Sequence, residues 1–371
     1  MEFIDLKKQQ KNIRSSLNLR LKKVLDDGRY IGGEEVATLE KELSLFCGAK
    51  HAIACSNGTD ALMLALMALD IGPGDGVITI PFTYIATLES IAAVGATPVL
   101  VDVYDSTFNI NVDKIEHAIK SSDKTIKAIM PVDLFGLPAR YRVVKDIAKK
   151  YNLKIIADAA QSFGASKEEK NVGTFGDITT TSFFPAKPLG CYGDGGAVFT
   201  DSSEYNAIIR SLAVHGKGTD KYDNIRIGMN SRLDTIQAAI LLEKLNIFPD
   251  EIKSRNQIAS LYRNKLNHLP LKFQIIPEGY RSVYAQFSVL FNNEETRDRV
   301  QLALKNNGIP SVIYYVIPGH LQTGYEYLNY SIGDFPVSED LSKRILSLPM
   351  HPYLNDIDIE KIITIIEKEI K

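Results

Sequence analysis

The segment from Thr179 to Thr200 constrains this chain more than any other, because it sets two strand-like runs on either side of a loop that can be neither helix nor strand. Thr179-Thr-Thr-Ser-Phe-Phe184 and Ala197-Val-Phe-Thr200 are rich in β-branched and aromatic residues, which suit a pleated, half-buried surface. Between them Pro185 and Pro188 bracket Lys187 and lock φ near about −65° at both prolines. Phe183, Phe184 and Leu189 flank the amine with apolar side chains. A lysine on a stiff apolar loop loses hydration, so its ammonium form is disfavoured and the neutral amine needed for a Schiff base becomes available. The bland alternative is a solvated lysine, since lysine is among the residues least often buried. Glycines 190, 193, 195 and 196 look like a nucleotide loop, but a dinucleotide fingerprint needs a helix after its glycines, and here a strand follows.

Two more segments carry chemistry. Lys154-Ile-Ile-Ala-Asp158 is an apolar strand that ends in a carboxylate, and the C-terminal edge of parallel strands is where α/β proteins place ligand groups. Asp158 there suits a protonated pyridine nitrogen; its ordinary alternative is a helix N-cap for the residues that follow. Cys55-Ser-Asn-Gly-Thr-Asp60 leads into a run that is apolar nearly all round, the mark of a buried helix. Gly58, Thr59 and Asp60 would offer free N–H groups, a hydroxyl and close approach to a phosphate, with the Asp60 carboxylate turned away. Plain capping is again the alternative. Phosphate site, pyridinium acid and amine arrive in the order expected for pyridoxal 5'-phosphate (PLP).

With 371 residues, 45% of them hydrophobic, the chain is long enough for a large core and two domains. A formal charge of −2 carries no basic excess for nucleic acid. No apolar run reaches the roughly 18 residues of a membrane span, and the first residues lack a signal peptide's apolar region, so a cytoplasmic enzyme is expected. Cys47, Cys55 and Cys191 read as core thiols, and the six histidines show no metal-ligand spacing. Strands are expected at 51–54, 77–80, 98–102, 127–131, 154–158, 180–184 and 196–200, with helices between most of them, which implies a mainly parallel seven-stranded sheet covered on both faces. A helix from Leu233 to Leu245 should lead to a smaller α+β C-terminal domain, with strands at 284–291 and 310–315 and a last helix from about Asp358. This places a large domain at 1–245 and a small one at 246–371, with the N-terminal segment free to pack on the latter.

Asn57-Gly-Thr-Asp-Ala61, Asp158-Ala-Ala-Gln-Ser-Phe-Gly-Ala165, the loop from Ser182 to Gly196 and Asn230-Ser-Arg-Leu-Asp-Thr-Ile-Gln-Ala-Ala239 resemble the DegT-type nucleotide-sugar aminotransferases. The likeness extends from Phe3-Ile-Asp-Leu6 to Leu348-Pro-Met-His-Pro-Tyr353. It implies a PLP-dependent transferase of fold type I, working as a homodimer with active sites shared between subunits. By that resemblance Lys187 carries the cofactor and moves the proton, Asp158 holds the ring nitrogen, and Gln161 contacts the phenolic oxygen. Ser182 and Thr59 would hold the phosphate, Tyr84 would stack on the ring, and Asn230 would reach the neighbouring subunit's cofactor. L-glutamate is the implied amino donor. Phe82-Thr-Tyr-Ile-Ala-Thr87 and Asn230-Ser-Arg-Leu-Asp-Thr235 are closest to enzymes that aminate C-3 of a UDP-linked 2-acetamido-3-keto sugar, in its glucuronate or glucose form, for O-antigen or lipid A synthesis. Arg232, Tyr314, Tyr315 and His320 are then expected near the sugar. The family's usual His-Tyr-Pro-Ile-Pro reads Tyr314-Tyr-Val-Ile-Pro318 here. Amination at C-4, or at C-3 of a dTDP-linked keto-deoxy sugar, and a catalytically silent PLP-binding regulator are the competing readings; a dehydratase would need histidine in place of Lys187.

Overall fold

Each short apolar run that ends at a turn residue becomes a strand of one central sheet. In the computed structural model, which describes residues 1–220 and 222–370, helices α1 (Leu6–Asp27) and α2 (Glu34–Cys47) precede β1 (His51–Cys55). Then follow α3 (Gly58–Ala68), β2 (Asp75–Thr79), α4 (Ala86–Ala93), β3 (Thr97–Leu100), α5 (Ile115–Ser121), β4 (Thr125–Ile129), α6 (Tyr141–Tyr151) and β5 (Lys154–Asp158). A small hairpin of β6 (Ser166–Lys167) and β7 (Lys170–Asn171) separates these from β8 (Ile178–Ser182) and β9 (Gly196–Thr200). The order across the sheet is β1-β9-β8-β5-β4-β2-β3. Strands β8, β5, β4, β2 and β3 run parallel, and β9 runs antiparallel to both its neighbours. The C-terminal ends of β5 and β8 therefore lie side by side, as the doubly wound plan requires of a ligand site.

After α7 (Ser203–Leu212), the long helix α8 (Thr235–Leu266) leads to a second sheet of β10 (Lys272–Phe273), β12 (Phe287–Leu290) and β13 (Ile345–Leu348), ordered β10-β12-β13, while β11 (Tyr280–Arg281) pairs with β6. Helices α9 (Glu294–Asn306), α10 (Pro336–Arg344) and α11 (Asp356–Ile370) complete this α+β part. Its core joins Phe287, Val289, Leu346 and Leu348 to Ile359, Ile362, Ile363 and Ile366. The fold is α/β with a mostly parallel seven-stranded sheet.

Several boundaries differ from the sequence expectation. The helix expected to stop at Leu245 runs unbroken to Leu266 and passes through Pro249. Proline inside a helix costs about 3 kcal/mol. The neighbouring side chains offset it: Phe248 is fully buried and its ring stacks on Phe163 at 6.1 Å. Ala238, Leu241, Phe248 and Ile252 belong to a core of the large sheet, whereas Ile258, Tyr262 and Leu266 belong to the small one, so α8 changes core well beyond residue 245. The strand expected at 310–315 does not form; Val312 makes a single bridge to Ser347, and the third strand of that sheet is β13 instead. The strand expected at 284–291 is confined to Phe287–Leu290, and the last helix starts at Asp356. Among the described residues no helix is long and apolar enough to cross a membrane.

Candidate active site

The site is assembled where β1, β5 and β8 end. Asn57 caps α3: its Oδ1 accepts the Asp60 N–H at 2.8 Å. This corrects the expectation for Asp60, whose N–H is spent on the cap; the first-turn N–H groups of Gly58 and Thr59 are the ones with no intrahelical partner. Gly58 is required by close approach, since a Cβ there would stand 2.7 Å from the Ser182 Cβ. Gly196 is needed for the same reason on the intervening strand, where a side chain would run into the Asn57 carbonyl. Two glycines thus bring a helix N-terminus against the Ser182 hydroxyl at the end of β8, a cradle shaped for phosphate.

Asp158 ends β5 and is 3% exposed. Its Oδ2 accepts the Thr87 hydroxyl at 2.8 Å and its Oδ1 the Ala160 N–H at 3.2 Å. Burial raises its pKa, while the two donors and the Lys187 charge act against the rise. A buried carboxylate with two donors and no ion pair among the described residues is suited to a cationic N–H from a ligand. Lys187 stands on the loop between β8 and β9, its N–H donating to the Phe184 carbonyl at 2.8 Å. Desolvation lowers the pKa of its amine, and Asp158 partly opposes that. The structure therefore brings the Lys187 amine, the Asp158 carboxylate and the turn at Gly58 and Ser182 together.

Gln161 is 3% exposed; its Oε1 accepts the Phe135 N–H at 2.9 Å and its Nε2 donates to the Tyr315 hydroxyl at 3.0 Å, which leaves one amide N–H over. Burial pushes the Tyr315 and Tyr314 phenols up. Their ring centres are 5.7 Å apart, so both belong to the wall beside Gln161. Tyr84 is exposed at 58%, on the turn that opens α4, and its carbonyl accepts the Thr87 N–H at 3.2 Å. Asn230 and Arg232 are exposed on the segment before α8, away from the chain's own core.

His320 does not join this group. Its side chain is wholly buried, with Nε2 3.1 Å from Glu339 and the ring edge-on to Phe335 at 4.8 Å. A side chain with no exposed atom cannot meet a sugar; this histidine braces the turn that Glu339 also holds through the Gly333 and Phe335 N–H groups. Thr87, conversely, is a site residue that pattern reading left without a role. Its only signal was its place in Pro81-Phe-Thr-Tyr-Ile-Ala-Thr87, and its partner lies 71 residues away.

The residues present fit PLP on three grounds: the acid Asp158 without an ion pair among the described residues, the glycine-lined cradle at Ser182 and the desolvated amine of Lys187. Comparison with known proteins agrees. Residues 11–367 match the DegT/DnrJ/EryC1/StrS aminotransferase family. The chain is 45% identical to UDP-2-acetamido-2-deoxy-3-oxo-D-glucuronate aminotransferase of Pseudomonas aeruginosa, over 97% of this chain and 98% of that one. It is 41% identical to UDP-N-acetyl-3-dehydro-alpha-D-glucosamine 3-aminotransferase of Acidithiobacillus ferrooxidans, over 99% and 97%. A solved DegT/DnrJ/EryC1/StrS aminotransferase from Brucella abortus, 51% identical, superposes with a TM-score of 0.96 over 100% of this chain and 99% of that one. The chain belongs to the DegT/DnrJ/EryC1/StrS aminotransferase family and is a PLP-dependent transaminase.

Proposed function

We propose that this transaminase moves the amino group of L-glutamate to C-3 of a UDP-linked 2-acetamido-3-keto sugar, in its glucuronate or glucose form, for surface polysaccharide or lipid A synthesis. The observation that carries the chemistry is the pairing of a buried Asp158, without an ion pair among the described residues, with a desolvated Lys187. The two relatives named above, both acting at a 3-oxo or 3-dehydro position, support the sugar.

When bound, the cofactor supplies an aldehyde that joins to amines and a ring that accepts electrons. Asp158 would keep a proton on the ring nitrogen, and Thr87 holds that carboxylate in place. Gly58, Thr59 and Ser182 bind the phosphate. Lys187 would carry the cofactor, and its Nζ is the group that would move a proton during the transfer. Gln161 would hold the phenolic oxygen through its remaining N–H, and Tyr84 would cover the ring face. Tyr314, Tyr315 and Arg232 face the sugar; the planar fork of Arg232 suits a carboxylate or a diphosphate.

The site is completed by a second copy of the chain, with Asn230 reaching the partner's phosphate. Exposed apolar residues support this: Ile225 and Ile227 lie on the Asn230 segment, and Tyr30 and Ile31 pair with its end through the Ile31–Asp234 bridge. The division into domains 1–245 and 246–371 falls inside α8, which would serve both as a shared axis. The deciding assay incubates the protein with glutamate and each keto sugar and locates the new amine by NMR. Nitrogen at C-4 would overturn the substrate and leave the transaminase standing.

A further inference from the structure

Helix α8 carries a buried polar stripe that the transfer chemistry leaves unused. Gln237, Lys244 and Glu251 are spaced by seven residues and so share one face of the helix. Gln237 holds Tyr192 at both backbone groups: its Oε1 accepts the N–H at 2.9 Å and its Nε2 donates to the carbonyl at 3.4 Å. Lys244, 1% exposed, donates to the Gly190 carbonyl at 2.5 Å and stands 4.2 Å from the centre of the Tyr192 ring. Glu251 accepts from Gln9 at 2.9 Å and from the Tyr353 hydroxyl. One turn on, Arg255 donates to the carbonyls of Tyr284 and Met350. The stripe runs from the Lys187 loop to α1 and the smaller sheet.

Stability alone does not account for Lys244. Its ammonium meets one carbonyl and one aromatic face, with no ion pair among the described residues, and burial pushes its pKa down to about 8 against the opposing fields of Glu251 and Cys191. An apolar side chain of the same length would fill the space without that desolvation cost. What the ammonium adds is direction. Gly190 closes the loop whose tip is Lys187, since the next residue, Cys191, returns its N–H to the Phe183 carbonyl at 2.8 Å.

We propose that Lys244, together with Gln237, is a positioning residue that clamps this loop to α8 and so holds Lys187 Nζ where the cofactor's aldehyde can join it. The proposal rests on the reading of Lys187 as the cofactor's carrier. Joining an amine to an aldehyde, in which a C=N bond forms and the carbonyl oxygen leaves as water with the two amine protons, depends on the effective concentration of the amine at the aldehyde carbon, which a loosened loop lowers. The contacts at Asp158, Ser182 and Gly58 do not pass through the clamp.

The test therefore compares two forms of the cofactor. Full-length Lys244→Met and Gln237→Met proteins, freed of cofactor, are titrated with PLP and with pyridoxamine phosphate, which has no aldehyde and cannot join to lysine. Both variants should bind PLP about tenfold more weakly and pyridoxamine phosphate within about twofold of the parent. Cofactor-free Lys244→Met should melt at or above the parent's temperature. Equal weakening of both forms, or of neither, would overturn the clamp; should Lys244→Met fail to fold, Gln237→Met decides alone. Borohydride reduction of the parent with PLP separates the two readings. A label away from Lys187 defeats the carrier assignment, whereas a label on Lys187 with unchanged PLP affinity in the variants defeats only the clamp.

Discussion

Two buried carboxylates stand at the ends of adjacent strands and have opposite lives. Asp133, beyond β4, accepts the Ala139 N–H and the Tyr141 hydroxyl on Oδ1, both at 2.8 Å, and the Ser162 hydroxyl on Oδ2 at 2.7 Å. Asp158, whose carbonyl accepts the Asp133 N–H at 3.0 Å, has only the Thr87 hydroxyl and the longer Ala160 N–H. Burial pushes Asp133 up to about 7, where the charge felt most is that of Asp158, whereas the charge felt by Asp158 is that of Lys187. Equal burial thus leads to different roles. A carboxylate whose donors come from its own fold is structural, and one with acceptor capacity left over is built for a ligand.

The comparison can be broken at either end. Lys187→Ala, which removes the amine beside Asp158, should lower transamination by more than about ten-thousandfold, since both the covalent anchor and the proton carrier are lost. Circular dichroism should show the parent's fold; a rate near the parent's would remove Lys187 from the chemistry. Asp158→Asn keeps the shape and loses the charge, so turnover should fall by about a hundredfold or more while some cofactor is retained. Asp133→Asn should leave kcat per folded molecule within about threefold, its effect being on stability. The reverse result for these two amides would exchange the roles assigned above.

Thr87 sharpens the contrast, because Val is nearly isosteric and removes one of two donors. Thr87→Val should lower kcat by about tenfold with a small change in KM, and Thr87→Ser should restore most of it. Unchanged kcat in the valine variant would make that hydroxyl a packing detail. The smallest effect concerns pH. The folded pKa of Asp133, about 7, lies above its ordinary 3.8, so between these values the native chain binds the extra proton. Its stabilising contribution is present below about 4 and is lost as pH rises to about 7. Denaturant titrations of parent and Asp133→Asn should therefore show the parent losing ground to the variant across that interval; a constant difference would mean that Asp133 stays ionised.

Much of the site was legible because its signals are local. The prolines around Lys187, the apolar strand ending at Asp158 and the Asn57-Gly-Thr turn each need only a few neighbouring residues to declare themselves, and the structure joins them at one sheet edge. The cap on Asp60 was equally local, and its capping alternative is the one the backbone adopts. His320 was misplaced for the converse reason: its burial depends on Phe335 and Glu339, and nothing near it in the chain marks that pocket.

The amino-acid order by itself determined the fold class and singled out Lys187, Asp158 and the Gly58 turn as candidates, because strand and helix periodicity and proline geometry act over a turn or two. Only tertiary structure decided that α8 continues through Pro249, that Thr87 serves Asp158, and that Lys244 meets Gly190 across 54 residues. Those outcomes balance a local cost, a broken helix bond or a desolvated charge, against packing and hydrogen bonds between segments distant in sequence. That balance exists only once the segments meet.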